Sequence, residues 1–330
     1  MDLIDWVNQH KVAEKRNYLF IDEVQEIEGF EKALRSLLAS GEVDIYCTGS
    51  NAKMLSSEIA TLLAGRSMEF TIYSLSYPEF LEFHSIEDSD SALEKFIKFG
   101  GLPYLIHLDL EDDIVFEYLK NIYYSILYRD ILSRYQLRNV QFIERLVLFL
   151  ADNTGSLVSA KSISDFLKSQ RTHISPQVVL IYLGYLEDAF FIFPVSRYDI
   201  GGKGIFEIGE KYYFEDLGLR HSLSGFRQGH INKVIENLIY LHLRFLGYTV
   251  YVGHLKQWEI DFVAEKNNSR VYIQASYLIS DESTREREIG NLLKIEDHFP
   301  KFLVSIDPIV TSEKGIEHLK LRDFLSIESL

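Results

Sequence analysis

Two neighbouring carboxylates, Asp22 and Glu23, close the apolar run Tyr18-Leu19-Phe20-Ile21. Such a run reads as a strand, and in an open α/β sheet ligands gather at the carboxyl ends of strands. A first carboxylate there can hold Mg2+ directly or through water, and a second can orient or deprotonate an attacking water. That is the Walker B arrangement, with Asp22 holding the metal and Glu23 activating water. The plainer alternative is a strand that ends in a solvated acidic turn. The next apolar strand, 44–48, runs into Thr48-Gly49-Ser50-Asn51, which puts Ser50 or Asn51 where it can sense a phosphate or position water. One helix later comes Gly65-Arg66. Arg66 at such a rim is either a finger to a neighbouring subunit's nucleotide or a surface salt bridge.

A second set lies near the other end. A helix pattern over 232–246 carries Glu236; Glu259-Ile260-Asp261 opens a later strand, and Tyr272-Ile273-Gln274-Ala275-Ser276 closes the next. An acid on the helix, an Asp on the second strand and Glu/Gln-x-Lys on the third resemble the PD-(D/E)xK nuclease fold. Its chemistry is metal-assisted hydrolysis, in which carboxylates place Mg2+ and the lysine stabilises charge on the phosphate. Glu236 and Asp261 match. Gln274 stands at the second acidic position and can coordinate only through its amide oxygen, while Ser276 stands where the lysine belongs, with Lys294 on the following helix as its substitute. Either this is a metal-dependent nuclease, or the scaffold is kept without cutting and Glu236 and Asp261 serve in structural hydrogen bonds.

Between the two sets, 159–167 and 175–188 read as helices joined by a turn over 169–173, with Ser175 as a cap and Pro176 in the first turn. Two β-like runs follow, 190–198 and 211–214, with Gly201-Gly202-Lys203-Gly204 as the hairpin turn. Helix–turn–helix then hairpin is a winged-helix layout. Such a module lays its second helix in the DNA major groove. Residues 175–188 hold no Lys or Arg, but Lys161, Lys168, Arg171 and His173 lie on the approach and Arg197 and Lys203 on the wing. These could contact phosphates without reading sequence. The competing reading is a winged helix that packs on protein.

The elements that must position these groups follow a regular pattern. Strand 18–21, helix 30–38, strand 44–48, helix 52–63 and strand 67–73 alternate as in a parallel sheet flanked by helices. Residues 78–150 are helical apart from the breaker Gly100-Gly101-Leu102-Pro103. Later come helix 232–246, strands 249–252, 260–264 and 270–274, helix 284–297 and strand 302–306. The 22 Phe and 20 Tyr fall at helical or strand spacing and belong mostly to the core.

The 330 residues suggest two or three domains. With 47% apolar and 25% charged residues, disorder, collagen and low-complexity classes are excluded. The net charge of −15 argues against a generally basic, nucleic-acid-coating protein. It is unevenly spread: residues 1–90 hold 17 acidic and 7 basic side chains, whereas 134–171 hold six basic and three acidic ones. Only the second stretch is suited to nucleic acid. A single cysteine, Cys47, rules out an intrachain disulfide and a cysteine metal cage. Met1-Asp2-Leu3-Ile4-Asp5 lacks a signal-peptide layout, and no apolar run approaches the ~18 residues of a membrane helix. A cytoplasmic protein without a membrane partner is expected.

The runs 18–28, 48–58, Leu63-Ala64-Gly65-Arg66 and 73–80, together with 211–220 and 236–274, closely resemble the prokaryotic AAA-type ATPases that carry a C-terminal domain of unknown function. The resemblance spans nearly the whole chain. It implies an α/β plus α fold: a partial AAA (P-loop-type) parallel-sheet core over 1–83, a helical lid over 84–150, a winged helix over 151–228 and a restriction-endonuclease-like α/β domain over 229–330. It implies ATP and Mg2+ as cofactors, and nucleotide state coupled to DNA, to a protein partner or to a homo-oligomer. One departure is large. The phosphate-gripping Gly-x-x-x-x-Gly-Lys-Ser/Thr loop does not occur; the only Gly-Lys pair, Gly202-Lys203, has Arg197 five places before Gly202 and is followed by Gly204. Only 17 residues precede the Asp22 strand, too few for that loop, its strand and its helix. Either the chain is a shortened reading of a longer gene, or the nucleotide site is lost. In both cases strong ATP binding by this chain alone is not expected. The alternatives in other classes are a non-catalytic DNA- or protein-binding module and a metal-dependent nuclease.

Overall fold

Side-chain alternation decides the faces of the first strand. In a computed structural model that describes residues 2–51, 66–202, 204–279 and 282–330, strand β1 (Asn17–Ile21) buries Leu19 and Ile21 and turns Tyr18 and Phe20 outward. The chain divides into two units, Met1–Ile72 with Tyr185–Phe190, and Tyr73–Gly184 with Phe191–Leu330.

In the first unit, helix α1 (Leu3–His10) starts at Asp2, whose carboxylate accepts the Ile4 N–H. After β1, helix α2 (Phe30–Ser40) runs between Gly29 and Gly41, both left-handed, and leads into β2 (Val43–Cys47). The strands pair in parallel from Asn17↔Val43 to Ile21↔Cys47. Val7, Leu19, Ile21, Val24, Phe30, Leu34, Leu37 and Val43 form the core. The parallel β–α–β expectation therefore holds for the first two strands. The strand expected over 67–73 does not form. Met68, Phe70 and Ile72 are exposed, so the alternation that suggested a strand has no sheet to fill. The helix expected over 52–63 lies outside the described residues.

The second unit begins with helices. Helix α3 (Tyr77–His84) opens on a Ser76/Glu79 capping box, and α4 (Asp90–Phe99) on Ser89, whose hydroxyl accepts the Ala92 N–H. Gly100 ends α4 at φ +79°, and Gly101 lies so close to the Leu75 carbonyl that a Cβ there would collide with it. The glycine pair breaks the helix, as expected from the sequence. Helix α5 (Asp112–Ser125) passes into a π-helical stretch (Ile126–Ser133) before α6 (Val140–Asp152). Helix α7 (Ala160–Ser169), capped by Ser159, and α8 (Pro176–Asp188) reproduce the helix–turn–helix order.

The hairpin that follows is β3 (Ile192–Asp199) and β4 (Gly204–Phe214), antiparallel from Ile192↔Phe214. It is not a free wing. Arg197, Tyr198 and Asp199 pair in parallel with Val252, Gly253 and His254 of β5 (Thr249–Leu255). One seven-stranded sheet results, ordered β4-β3-β5-β6-β7-β8-β9, with β6 (Trp258–Lys266), β7 (Ser269–Ala275), β8 (Lys301–Ser305) and β9 (Ile316–Lys320). This sheet spans the boundary expected between 228 and 229. Helices α9 (Leu217–Ser224) and α10 (Ile231–Phe245) follow β4, and α11 (Glu282–Leu293) connects β7 to β8. The expected order α10–β5–β6–β7–α11–β8 is present; β9 and the short α12 (Leu321–Phe324) extend it. Among the described residues no helix is long and apolar enough to cross a membrane.

Candidate functional site

The turn after β1 brings four of the expected residues together. Thr48 N–H donates to the Ile21 carbonyl at 2.9 Å and Val24 N–H to the Thr48 carbonyl at 3.0 Å, which locks the two strand ends side by side. The Thr48 hydroxyl donates to Asp22 and accepts the Glu23 N–H at 3.1 Å. Glu23 takes a left-handed backbone, φ +48°, and its carboxylate accepts the Ser50 N–H at 3.1 Å and the Gln25 amide. Asn51 is buried, and the enclosed Ser50 hydroxyl has no hydrogen-bond partner among the described residues. Asp22 is exposed with one oxygen held by Thr48, so the other can meet a hydrated divalent cation. Arg66 is exposed, and no hydrogen bond or ion pair among the described residues joins it to this network.

The second cluster is largely buried, open to solvent at Glu259, and carries an unexpected cation. Glu236 comes from α10 and Asp261 from β6, as expected, and Lys211 enters from β4. Its ammonium lies 3.0 Å from Glu236 Oε2, 2.9 Å from Glu259 Oε1 and 3.7 Å from Asp261 Oδ1, with the side chain only 3% exposed. Tyr213, two residues on and so on the same face of β4, donates its hydroxyl to Glu236 Oε2 at 3.1 Å. The second Asp261 oxygen accepts the Ala275 N–H at 2.8 Å. The Gln274 amide donates to Glu288 at 2.8 Å, and its oxygen faces the Asp261 N–H at 3.4 Å. The turn at Gly155 closes over Glu236, since a Cβ there would stand 3.1 Å from Glu236 Oε2.

Burial works against charge on Lys211, but Tyr213, Glu236, Asp261 and Glu259 override it and hold its pKa well above the usual lysine value. Burial first, then Glu236, push the Asp261 carboxyl well above the aspartate range, against the pull of Lys211 and the Ala275 N–H. The expected metal ligands Glu236, Asp261 and Gln274 thus lie together, with an ammonium already among their oxygens. Among the described residues no group of three or more His, Cys, Asp or Glu side chains is arranged to hold a metal ion. Lys294 does not stand in for the lost lysine. Its ammonium lies over the Trp258 ring at 3.9 Å and donates to Asn291, outside the cluster. Sequence reasoning missed Lys211 and Glu259. The signal was a lysine leading the otherwise aromatic strand end Lys211-Tyr212-Tyr213-Phe214, in register with Tyr213.

The basic residues expected to meet DNA are spread out. Lys161 and Lys168, seven apart on α7, share a face, and both are exposed, as are Arg171 and His173. Arg145 fixes the turn by donating to the Gln170 carbonyl at 3.1 Å and to the Thr172 hydroxyl. Arg197 lies on β3, and Lys203 is outside the described residues. Helix α8 turns Leu180 and Ile181 outward.

Comparison with known proteins adds the following. Residues 2–81 match an AAA domain family, and residues 90–230 match a domain of unknown function (DUF8612). An uncharacterised protein of Haemophilus influenzae is 36% identical over 320 residues, covering 95% of this chain and 78% of that protein. The uncharacterised protein MJ1544 of Methanocaldococcus jannaschii is 32% identical over 320 residues, covering 92% of this chain and 71% of that protein. Among solved structures, Can2 from Sulfobacillus thermosulfidooxidans, in complex with cyclic tetra-adenylate, aligns over 95% of this chain and 89% of its own at 12% identity and a TM-score of 0.24. Protein VC1899 from Vibrio cholerae aligns over 90% and 78% at 11% identity and a TM-score of 0.22. At those scores neither alignment carries an argument about this chain.

Proposed function

The chain belongs to the family of these uncharacterised Haemophilus influenzae and Methanocaldococcus jannaschii proteins and carries an AAA domain, and from that premise we propose that its first unit supplies the magnesium- and water-handling half of an ATP site. The observation that carries this reading is the Thr48 bridge, which holds Asp22 and the Glu23 backbone together at adjoining strand ends while the Ser50 N–H aims the Glu23 carboxylate. In this reading Asp22 holds Mg2+ through water and Glu23 orients the attacking water. Ser50 and Asn51 sense phosphate, and Arg66 reaches a neighbouring copy's nucleotide. Bound Mg2+ would supply charge neutralisation on the phosphates. No Gly-x-x-x-x-Gly-Lys-Ser/Thr loop occurs in the 330 residues, so the grip on the phosphates is not theirs to give. Titration of the purified chain with Mg·ATP should therefore show no submicromolar affinity. Submicromolar binding would overturn the reading.

The second unit then couples nucleotide state to the binding of DNA or of another protein, in a cytoplasmic protein. Lys161, Lys168 and Arg171 are its phosphate contacts, supplemented by Arg197 on β3 and by Lys203. The helix–strand–strand–strand–helix–strand order, with Glu236, Asp261 and Gln274 together, supports a nuclease-like scaffold. A second reading, a binding module without catalysis, is favoured by Gln274 and Ser276 at two of the four expected positions.

A further inference from the structure

Three carboxylates converge on the buried Lys211 ammonium in the second unit: Glu236 from α10, and Asp261 and the partly exposed Glu259 from β6. Groups of like charge held this close need a cation among them, or some must keep their protons. In metal-dependent hydrolysis a divalent ion fills that role, at about 2.0–2.6 Å from its oxygens. In this chain the Lys211 ammonium stands at the point of convergence, 2.9–3.7 Å from one oxygen of each. Other donors of the cluster are engaged as well. Asp261 gives its other oxygen to the Ala275 N–H, and Gln274 is engaged with Glu288 and with the Asp261 N–H. Tyr213 donates to the same Glu236 oxygen, and the Gly155 turn covers it. A divalent ion entering would have to displace the ammonium of Lys211, a residue 2% exposed.

We infer that Lys211 is the resident cation of this cluster, occupying the place of a divalent metal, so that the nuclease-like end of the chain is held together without metal and does not take one up. Charge on the site is offset in part by a side chain of the chain itself, instead of by an ion whose occupancy varies. Removing the ammonium then leaves three carboxylates around a vacated position; drawn in from 2.9–3.7 Å, they would supply the oxygens that a divalent cation takes.

Mn2+ is the probe, read by calorimetric titration and by thermal melting of the whole chain. The native chain should show no Mn2+ binding that Asp261→Asn weakens; comparison with that variant separates this cluster from any ion held at Asp22. Lys211→Ala should bind Mn2+ at least tenfold more tightly than the native chain and melt at a higher temperature with Mn2+ than without. Adding Asp261→Asn should abolish both gains. If Lys211→Ala fails to fold alone, refolding in millimolar Mn2+ reads the same question, and recovery of the native circular dichroism is the expected result. Binding by the native chain that depends on Asp261 would overturn the inference. So would a Lys211→Ala protein that gains neither affinity nor refolding from Mn2+.

Discussion

A hydroxyl holds the first pair of acids and an ammonium holds the second group, and that difference in charge decides what each can accept. Thr48 is neutral and brings no cation to the rim that carries Asp22 and Glu23. Lys211 cancels part of the charge around it and fills the space as well. A third acidic pair behaves differently again. Burial pushes Glu215 up to about 7 and Asp216 up to about 6, while Glu215 accepts the Ser74 N–H and Asp216 accepts the Gly101 and Leu219 N–H groups. Unfolded, both titrate near 4. Between about pH 4 and about pH 7 the folded chain holds protons that the unfolded chain has released, so their contribution to stability falls as pH rises through that window. For Glu215 the full cost is about 3 kcal/mol. Glu215→Gln keeps an acceptor for Ser74 and carries no charge. Its melting temperature should rise relative to the native chain between about pH 5 and about pH 8. A difference that does not vary with pH would contradict this. Burial lowers His221 to about 3 and His242 to about 4, which destabilises both proteins alike below about pH 6.5 and cancels in the comparison. At this scale Asp22, Glu236 and Asp261 were legible because each sits at a fixed place on a strand or helix. Lys211 was not, because β4 meets α10 and β6 only through folding.

Packing between elements turns on backbone approach. Helix α9 crosses α4 at Gly218, where a Cβ would collide with the Phe99 carbonyl and stand 2.9 Å from Leu119 Cδ1. Gly218→Ala should cost about 3 kcal/mol, read as a lower urea midpoint with unchanged slope. A loss below about 1 kcal/mol would mean that the helices part easily there. Most elements could be read from periodicity, from β1 through β8. What failed was pairing. The run 67–73 alternates like a strand, yet strand formation needs a neighbour's ladder, which its own residues do not encode. The β3–β4 hairpin was visible as a hairpin, but its parallel pairing with β5 joins residues more than fifty apart and leaves no local mark. The Gly100-Gly101 break was legible because positive φ and close approach both call for glycine.

Across the whole molecule the net charge of −15 conceals opposite roles. Most of the excess acid lies in residues 1–90, whereas 134–171 are net basic. If α7 and its turn meet duplex DNA through Lys161, Lys168 and Arg171, binding should weaken with salt with a logarithmic slope of about three. Lys168→Ala with Arg171→Ala should lower that slope by about two, uniformly across sequences. A slope unchanged by the pair would point to a protein partner instead. The first unit, proposed to handle magnesium and water, lacks the residues that grip phosphate. Equilibrium binding of a fluorescent ATP analogue with Mg2+ to the native chain and to Asp22→Asn reads this division of labour. Saturable binding weaker than micromolar, abolished by Asp22→Asn, is expected; submicromolar affinity, or weak binding indifferent to Asp22, would overturn the proposed role of the first unit.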